Sequence, residues 1–201
     1  MTIFLVRHGR ASAGAEHLDP GLDDVGRQQA SHVSEALQSH AVGRLVVSPM
    51  RRCRETIAPI AYALGMKPEV REEVSEVFDP AMAADQRRTM IGPFMQGVWS
   101  DQPEELLAWR RRCLDAVLDL SQQASAASHD LVIVSHYIAI CAVIGESTDD
   151  DRVVPVPIAN ASISSFELVH GSLQLLAGGD TSHLPGELVT GIHTAILGTR
   201  P

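Results

Sequence analysis

The stretch MTIFLVRHG (residues 1–9) joins an apolar run directly to an arginine, a histidine and a glycine. Within it, Thr2–Val6 is short, continuous and rich in β-forming residues, which predicts a buried strand. RLVVS at Arg44–Ser48 and DLVIVSH at Asp130–His136 have the same form, and stretches with helical periodicity lie between the three. Strands that alternate with helices predict an α/β fold with a mostly parallel sheet.

The segments around these strands predict the remaining elements. Apolar spacing and capping residues predict four helices, at 23–37, 49–65, 103–124 and 138–144. Pro59 lies inside the second of these, so we expect a kink or a split there. The alternating run at 162–178 predicts a C-terminal hairpin that turns at His170–Ser172. We therefore predict a three-layer sandwich, with a mostly parallel central sheet, helices on both faces and a C-terminal hairpin.

Length, charge and cysteine content restrict the class of protein. A chain of 201 residues suits one domain, and its net charge of −9 disfavours nucleic acids and anionic membranes as partners. Cys53, Cys113 and Cys141 are odd in number and widely spaced, which argues against disulfides and a zinc site and fits a reducing cytosol. Neither a signal peptide nor an apolar run of ~20 residues is visible. We expect a cytoplasmic protein whose oligomeric state is open, a homodimer being one possibility.

Basic side chains follow the predicted strands at the point where each strand ends. Arg7 and His8 follow the first strand, Arg52 lies just beyond the second, and His136 ends the third. The carboxyl ends of parallel strands meet at one edge of a sheet, where functional residues collect in open α/β folds. We therefore expect these four side chains to lie together, although the protein as a whole is acidic.

This set of side chains suits the chemistry of phosphate. Arginines form bidentate, charge-assisted hydrogen bonds to phosphate oxygens. A neutral imidazole can attack phosphorus and carry the phosphoryl group, which divides one difficult step into two. The alternative is a metal site on His8 and His136, but it lacks a third ligand of matched spacing, and the flanking arginines would repel a cation. The sequence therefore implies no metal and no organic cofactor.

Five stretches occur in an order that is typical of one known family. They are LVRHG (5–9), LDPGLDDVGRQQA (18–30), SPMRRCRET (48–56), VSH (134–136) and IANASIS (158–164). They resemble motifs of the histidine phosphatase superfamily, in its phosphoglycerate-mutase-like branch. The resemblance covers roughly residues 2–185. It implies a phosphoglycerate-mutase-like fold and a single domain over residues 1–201.

The resemblance also implies a role for each matching residue. His8 would be the nucleophile that becomes phosphohistidine. Arg7, Arg52 and His136 would surround the phosphoryl group, with Arg52 rather than Arg51 at the family's position.

The general acid of this family lies in a segment after the second helix. Glu76 aligns best with it, and Glu73 and Glu72 are the alternatives. Such a carboxyl must protonate the leaving group and then activate water, which requires a raised pKa and a partly apolar pocket.

Several residues depart from the family's pattern or add to it. Arg10 stands where the family often has glutamate, and Tyr137 replaces a glycine. We expect Ser12 and the backbone N–H of Tyr137 to contact the phosphate, with His17 as a weaker candidate. Gly9 would let the backbone approach the phosphoryl group closely.

The segment at about 79–98 differs from the family, and it is expected to be a variable helical insertion that forms the substrate wall. Its glycines and its proline predict a broken helix or a loop.

Three functions remain open at this point. The first is a phosphatase that hydrolyses a small phosphomonoester, or a phosphoprotein, through a phosphohistidine on His8. The second is a mutase that moves phosphate within a phosphoglycerate, although family mutases are longer. The third is a phosphate-binding or phosphoprotein-regulating protein with weak catalysis, which the altered segment after Glu76 favours.

Overall fold

The computed structural model describes residues 1–12, 18–78 and 84–192, without the side chains of 84–88. The strands are β1 (Ile3–Arg7), β2 (Val42–Val47), β3 (Glu69–Val70), β4 (Asp130–Ser135), β5 (Ile163–Val169) and β6 (Ser172–Asp180). The helices are α1 (Asp24–Leu37), α2 (Arg51–Leu64), α3 (Ala84–Gln96), α4 (Glu104–Ala126) and α5 (Tyr137–Thr148), and short 3₁₀ turns lie at Glu72–Val74, Trp99–Asp101 and Gly186–Leu188.

The strands form one sheet in the order β3-β2-β4-β1-β5-β6. The pairs among β1, β2, β3 and β4 are parallel, whereas β5 and β6 are antiparallel. The predicted α/β sandwich, its mostly parallel sheet and its hairpin are therefore confirmed. The hairpin turns at His170 and Gly171, which both have positive φ, as a tight two-residue turn requires.

Alternate residues of the central strands serve two separate cores. Phe4 and Val6 of β1 pack with the buried faces of α1 and α2. Ile3 and Leu5 of the same strand face the opposite way and pack with α4 and α5. Helices therefore cover both faces of the sheet, which makes three layers. A strand buried on both faces in this way carries apolar residues at every position.

Two elements differ from their sequence predictions. α2 is not split at Pro59, because Cys53, Ile57 and Ile60 pack its buried face into the core on both sides of the proline, and the alternative of a kink there stays a prediction. α3 likewise continues through Pro93, where a break was expected. Residues 79–83 of the predicted insertion lie outside the described residues. None of the described helices is long and apolar enough to cross a membrane.

Candidate active site

The first histidine of the site follows β1 directly. The backbone N–H of His8 donates to Ser135 O at 3.0 Å, which ties it to the end of β4. Its ring Nδ1 lies 2.8 Å from Gly9 O. A carbonyl oxygen only accepts, so the ring proton lies on Nδ1 and the lone pair lies on Nε2. That lone pair faces Nε of Arg52 at 3.2 Å.

Arg52 connects the two histidines across the start of α2. Its Nη2 lies 3.1 Å from Nδ1 of His136, and the two imidazole rings have their centres 5.3 Å apart. Its Nη1 lies 3.9 Å from the carboxylate of Asp19, which also accepts the backbone N–H of Arg51. The guanidinium group thus reaches both rings predicted to handle the phosphoryl group.

Both histidines are neutral at pH 7. His136 is fully buried and caps the N-terminus of α5. Burial is the main cause that lowers the pKa of His136, and nearby His8, Arg52 and Arg7 lower it further. Burial likewise lowers the pKa of His8, together with the charges of Arg52 and Arg7. A neutral His8 keeps the lone pair that a nucleophile needs.

Arg7 supplies the second cation of the site from the end of β1. Its side chain is buried, and its Nη1 donates to the carbonyl oxygens of Ile158 at 2.7 Å and Gly191 at 3.1 Å. The guanidinium carbon lies 4.7 Å from the centre of the Tyr137 ring. The Tyr137 ring is therefore packed beneath Arg7. Contact of its backbone N–H with phosphate stays a prediction.

Glu76 is the carboxyl that lies within the influence of both arginines. The backbone N–H groups of Val77, at 3.0 Å, and of Ile138 donate to it. Burial raises the pKa of Glu76, and this exceeds the opposing effect of those hydrogen bonds and of the charges of Arg52 and Arg7. The carboxyl therefore holds its proton to a higher pH than an exposed glutamate.

The two alternatives to Glu76 lie elsewhere. Glu73 is paired with Arg71 at 3.0 Å, and the hydrogen bond from Arg71 lowers its pKa. Glu72 is exposed to solvent. A lowered pKa and an exposed position both suit a surface carboxylate rather than a general acid.

Other predicted residues have different partners. The hydroxyl of Ser12 donates to Gly21 O at 3.3 Å, so its contact with phosphate stays a prediction, and His17 lies outside the described residues. Nε of Arg10 donates to Asp23 at 2.6 Å. The close approach that Gly9 permits is to α1, because a Cβ there would lie 2.7 Å from Gly26 O. Close approach of the Gly9 backbone to a phosphoryl group stays a prediction.

Three polar residues outside the predicted set support the site. Thr56 accepts the backbone N–H of Gly9 at 3.0 Å and donates to Arg52 O at 2.7 Å. Asn160 donates to His8 O at 3.3 Å, and Ser48 contacts His136. Each lies within one of the five motif stretches, which was the signal that could have identified them.

The chain belongs to the histidine phosphatase superfamily (branch 1), whose family model matches residues 3–181. A protein of Arabidopsis thaliana, phosphoglycerate mutase-like protein 4, is 28% identical over 90% of this chain and 86% of its own length. A protein of Schizosaccharomyces pombe, described as "Probable phosphatase C1687.21", is 37% identical over 35% of this chain. That match spans only 34% of the yeast protein.

Solved structures share the fold at low identity. Bacillus stearothermophilus YhfR has a TM-score of 0.74 and 20% identity, covering 90% of this chain and 98% of its own. Phosphoserine phosphatase of Entamoeba histolytica, in complex with 3-phosphoglyceric acid, has a TM-score of 0.72 and 20% identity over 92% and 99%. Mycobacterial glucosyl-3-phosphoglycerate phosphatase has a TM-score of 0.71 and 17% identity over 90% and 99%.

No metal site is found in the described part of the chain. None of its groups of histidine, cysteine, aspartate and glutamate side chains has the arrangement to hold a metal ion. The positive charge near His8 comes from Arg7 and Arg52.

Proposed function

We propose that this protein is a phosphatase that hydrolyses a phosphomonoester through a phosphohistidine on His8. One observation carries the proposal: the unprotonated Nε2 of His8 points to the guanidinium of Arg52 at 3.2 Å. The proposed nucleophile thus lies directly beside a cation that can bind the phosphate group. Catalysis of phosphoryl transfer is mainly positioning and electrostatic stabilisation, which this arrangement supplies.

The reaction proceeds in two steps. In the first, Nε2 of His8 bonds to phosphorus while the bond from phosphorus to the ester oxygen breaks, and the carboxyl of Glu76 gives its proton to the leaving alcohol. In the second, the Glu76 carboxylate takes a proton from water. The water oxygen then bonds to phosphorus, the P–N bond breaks, and inorganic phosphate and neutral His8 are restored. Arg7 and Arg52 donate to the phosphoryl oxygens in both steps, and His136 borders the phosphoryl group and accepts from Arg52, which holds that guanidinium in place.

The substrate we propose is a small phosphomonoester, or a phosphorylated side chain of a protein. Relatives named for phosphoserine and glucosyl-3-phosphoglycerate support the small substrate.

We also propose that α3 belongs to the substrate wall within a single domain. It follows the Glu76 segment, and its Phe94 packs edge-on against Phe78 with ring centres 5.2 Å apart.

The test is turnover of a panel from p-nitrophenyl phosphate to sugar phosphates, phosphoserine and phosphopeptides. We expect wild type to release phosphate, His8→Ala to be inactive, and His32→Ala, which removes a histidine of α1, to match wild type. Quenching at alkaline pH should trap one labelled phosphoryl group per wild-type chain and none on His8→Ala. Full activity of His8→Ala overturns the mechanism. A wild type that binds phosphate but turns over no substrate, or only interconverts phosphoglycerates, overturns the phosphatase.

A further inference from the structure

Ser48 is a fully buried serine between β2 and α2. Its backbone N–H donates to Val134 O at 3.1 Å, which fixes it beside the end of β4. Its hydroxyl oxygen lies 2.8 Å from Nε2 of His136. The only other side chain recorded within hydrogen-bonding range of that nitrogen, among the described residues, is Cys53, whose Sγ lies 3.4 Å away.

The position of the proton on His136 follows from its partners. Arg52 only donates, and its Nη2 lies 3.1 Å from Nδ1 of His136. In a neutral ring Nδ1 therefore accepts, and the ring proton lies on Nε2, from which it is donated to the Ser48 hydroxyl. The two histidines of the site thus carry opposite tautomers, since His8 holds its proton on Nδ1 against Gly9 O.

We propose that Ser48 is a positioning residue, which accepts the Nε2 proton of His136 and so keeps the Nδ1 lone pair directed at Arg52, the arginine proposed to bind the phosphoryl group. This role rests on the proposed function. A sulfur is a weak acceptor, so Cys53 does not replace the hydroxyl. Without Ser48 the buried N–H would lose its partner, which disfavours this tautomer. The hydroxyl can direct its own proton to Ser75 Oγ at 3.5 Å, next to Glu76.

The direct test is ¹⁵N NMR of the imidazole nitrogens at pH 7, without substrate. The signals of His136 are assigned from their loss in His136→Asn. In wild type we expect a protonated Nε2 and an unprotonated Nδ1. Ser48→Ala should shift the ring toward the other tautomer, and Ser48→Thr should retain the wild-type pattern. Ser121→Ala removes a buried hydroxyl of α4 that donates to Val117 O, and it should leave the ring unchanged.

A proton on Nδ1 in wild type overturns the proposal, whether or not the variants fold. So does an unchanged His136 tautomer in a folded Ser48→Ala protein. In turnover assays we expect kcat/KM of Ser48→Ala to fall about tenfold, with recovery in Ser48→Thr. An inactive wild type with the expected NMR pattern would end the phosphatase proposal but leave the tautomer assignment intact. Full activity in Ser48→Ala would remove the positioning role.

Discussion

Two groups of arginines in this protein have opposite surroundings. On the surface near β3, Arg44 and Arg71 are paired with carboxylates, Arg44 with Glu69 at 2.7 Å and Arg71 with Glu73 at 3.0 Å. At the carboxyl edge of the sheet, the hydrogen bonds recorded for Arg7 in the described structure go to backbone carbonyls. The carboxylate recorded nearest Arg52 is Asp19, at 3.9 Å.

The difference lies in how far carboxylates neutralise the two groups of arginines. With 25 acidic and 16 basic side chains, carboxylates are in excess, and the surface arginines are paired with them. Among the described residues, no carboxylate accepts a hydrogen bond from the site arginines, and they lie in a partly desolvated place where electrostatic interactions are stronger. A bound phosphate dianion would neutralise the charge of the site arginines. Substitutions of the site arginines should therefore reduce activity and phosphate binding, whereas substitutions of the surface arginines should not.

The largest expected effect is on Arg52→Met. It removes a guanidinium that stabilises the transferring phosphoryl group, so kcat/KM should fall by about 10³-fold or more. Arg44→Met, which removes a surface arginine of similar size, should keep wild-type activity. The measurement is hydrolysis of the best substrate from the panel.

Binding of phosphate gives the same comparison without turnover. Inorganic phosphate should raise the melting temperature of wild type and of Arg44→Met, because a ligand that binds only the folded state stabilises it. It should leave the melting temperature of Arg52→Met almost unchanged. Equal shifts in both variants would show that Arg52 does not bind the anion.

The carboxyls offer a second matched pair. Glu76→Gln removes the proton donor while keeping the shape, so kcat should fall by about 10² to 10³-fold. Glu73→Gln alters a surface pair of Arg71 and should leave kcat unchanged. Substrates with good leaving groups, such as p-nitrophenyl phosphate, should lose less in Glu76→Gln, because their leaving group needs no proton. If Glu73→Gln shows the larger loss, the acid is assigned to the wrong residue.

The parts of this molecule that sequence could predict depend on local signals. Short apolar runs indicated β1, β2 and β4, and the residues directly after them indicated Arg7, His8 and His136. The structure brings these together with Arg52, because the strands are parallel and their ends share one edge.

The parts that sequence could not predict depend on tertiary contacts. The orientation of Arg10 toward Asp23 and the continuity of α2 through Pro59 follow from packing partners distant along the chain. The proton positions on the two imidazoles depend on which nitrogen meets a carbonyl or a guanidinium. A raised pKa was expected for the general acid, but the burial that raises it at Glu76 rather than at Glu72 or Glu73 is not visible in a run of glutamates.

The site histidines and Glu76 should affect stability in opposite directions as pH changes. The folded pKa values of His8 and His136 lie below their usual 6.5, so the unfolded chain takes up these protons first. The free energy of unfolding should therefore fall as pH drops below 6.5, by up to about 1.4 kcal/mol per pH unit for each proton. Glu76 has a raised pKa, so its folded form takes up a proton first and opposes this fall.

Denaturant unfolding of wild type and Glu76→Gln between pH 6.5 and 4.5 measures these contributions, because the raised pKa of Glu76 lies above the usual glutamate value at the lower end of this range. The free energy of unfolding should fall more steeply with decreasing pH in Glu76→Gln, because protonation of Glu76 no longer opposes the fall. A double His8→Asn/His136→Asn variant should lose most of the fall. If the double variant keeps the wild-type slope, groups other than these two histidines titrate in this range.

The smallest expected effect is on the surface pairs themselves. Glu69 accepts from Arg44 and Arg71, and the Arg44 hydrogen bond is the main cause that lowers its pKa. Because these side chains are partly exposed, Glu69→Gln should reduce the free energy of unfolding by only about 0.5 kcal/mol. The difference from wild type should shrink in 1 M NaCl, where screening acts over roughly 3 Å. A loss above about 2 kcal/mol that is unchanged in salt would mean that the Arg44–Glu69 pair is as desolvated as the site. The contrast between the two groups of arginines would then not hold.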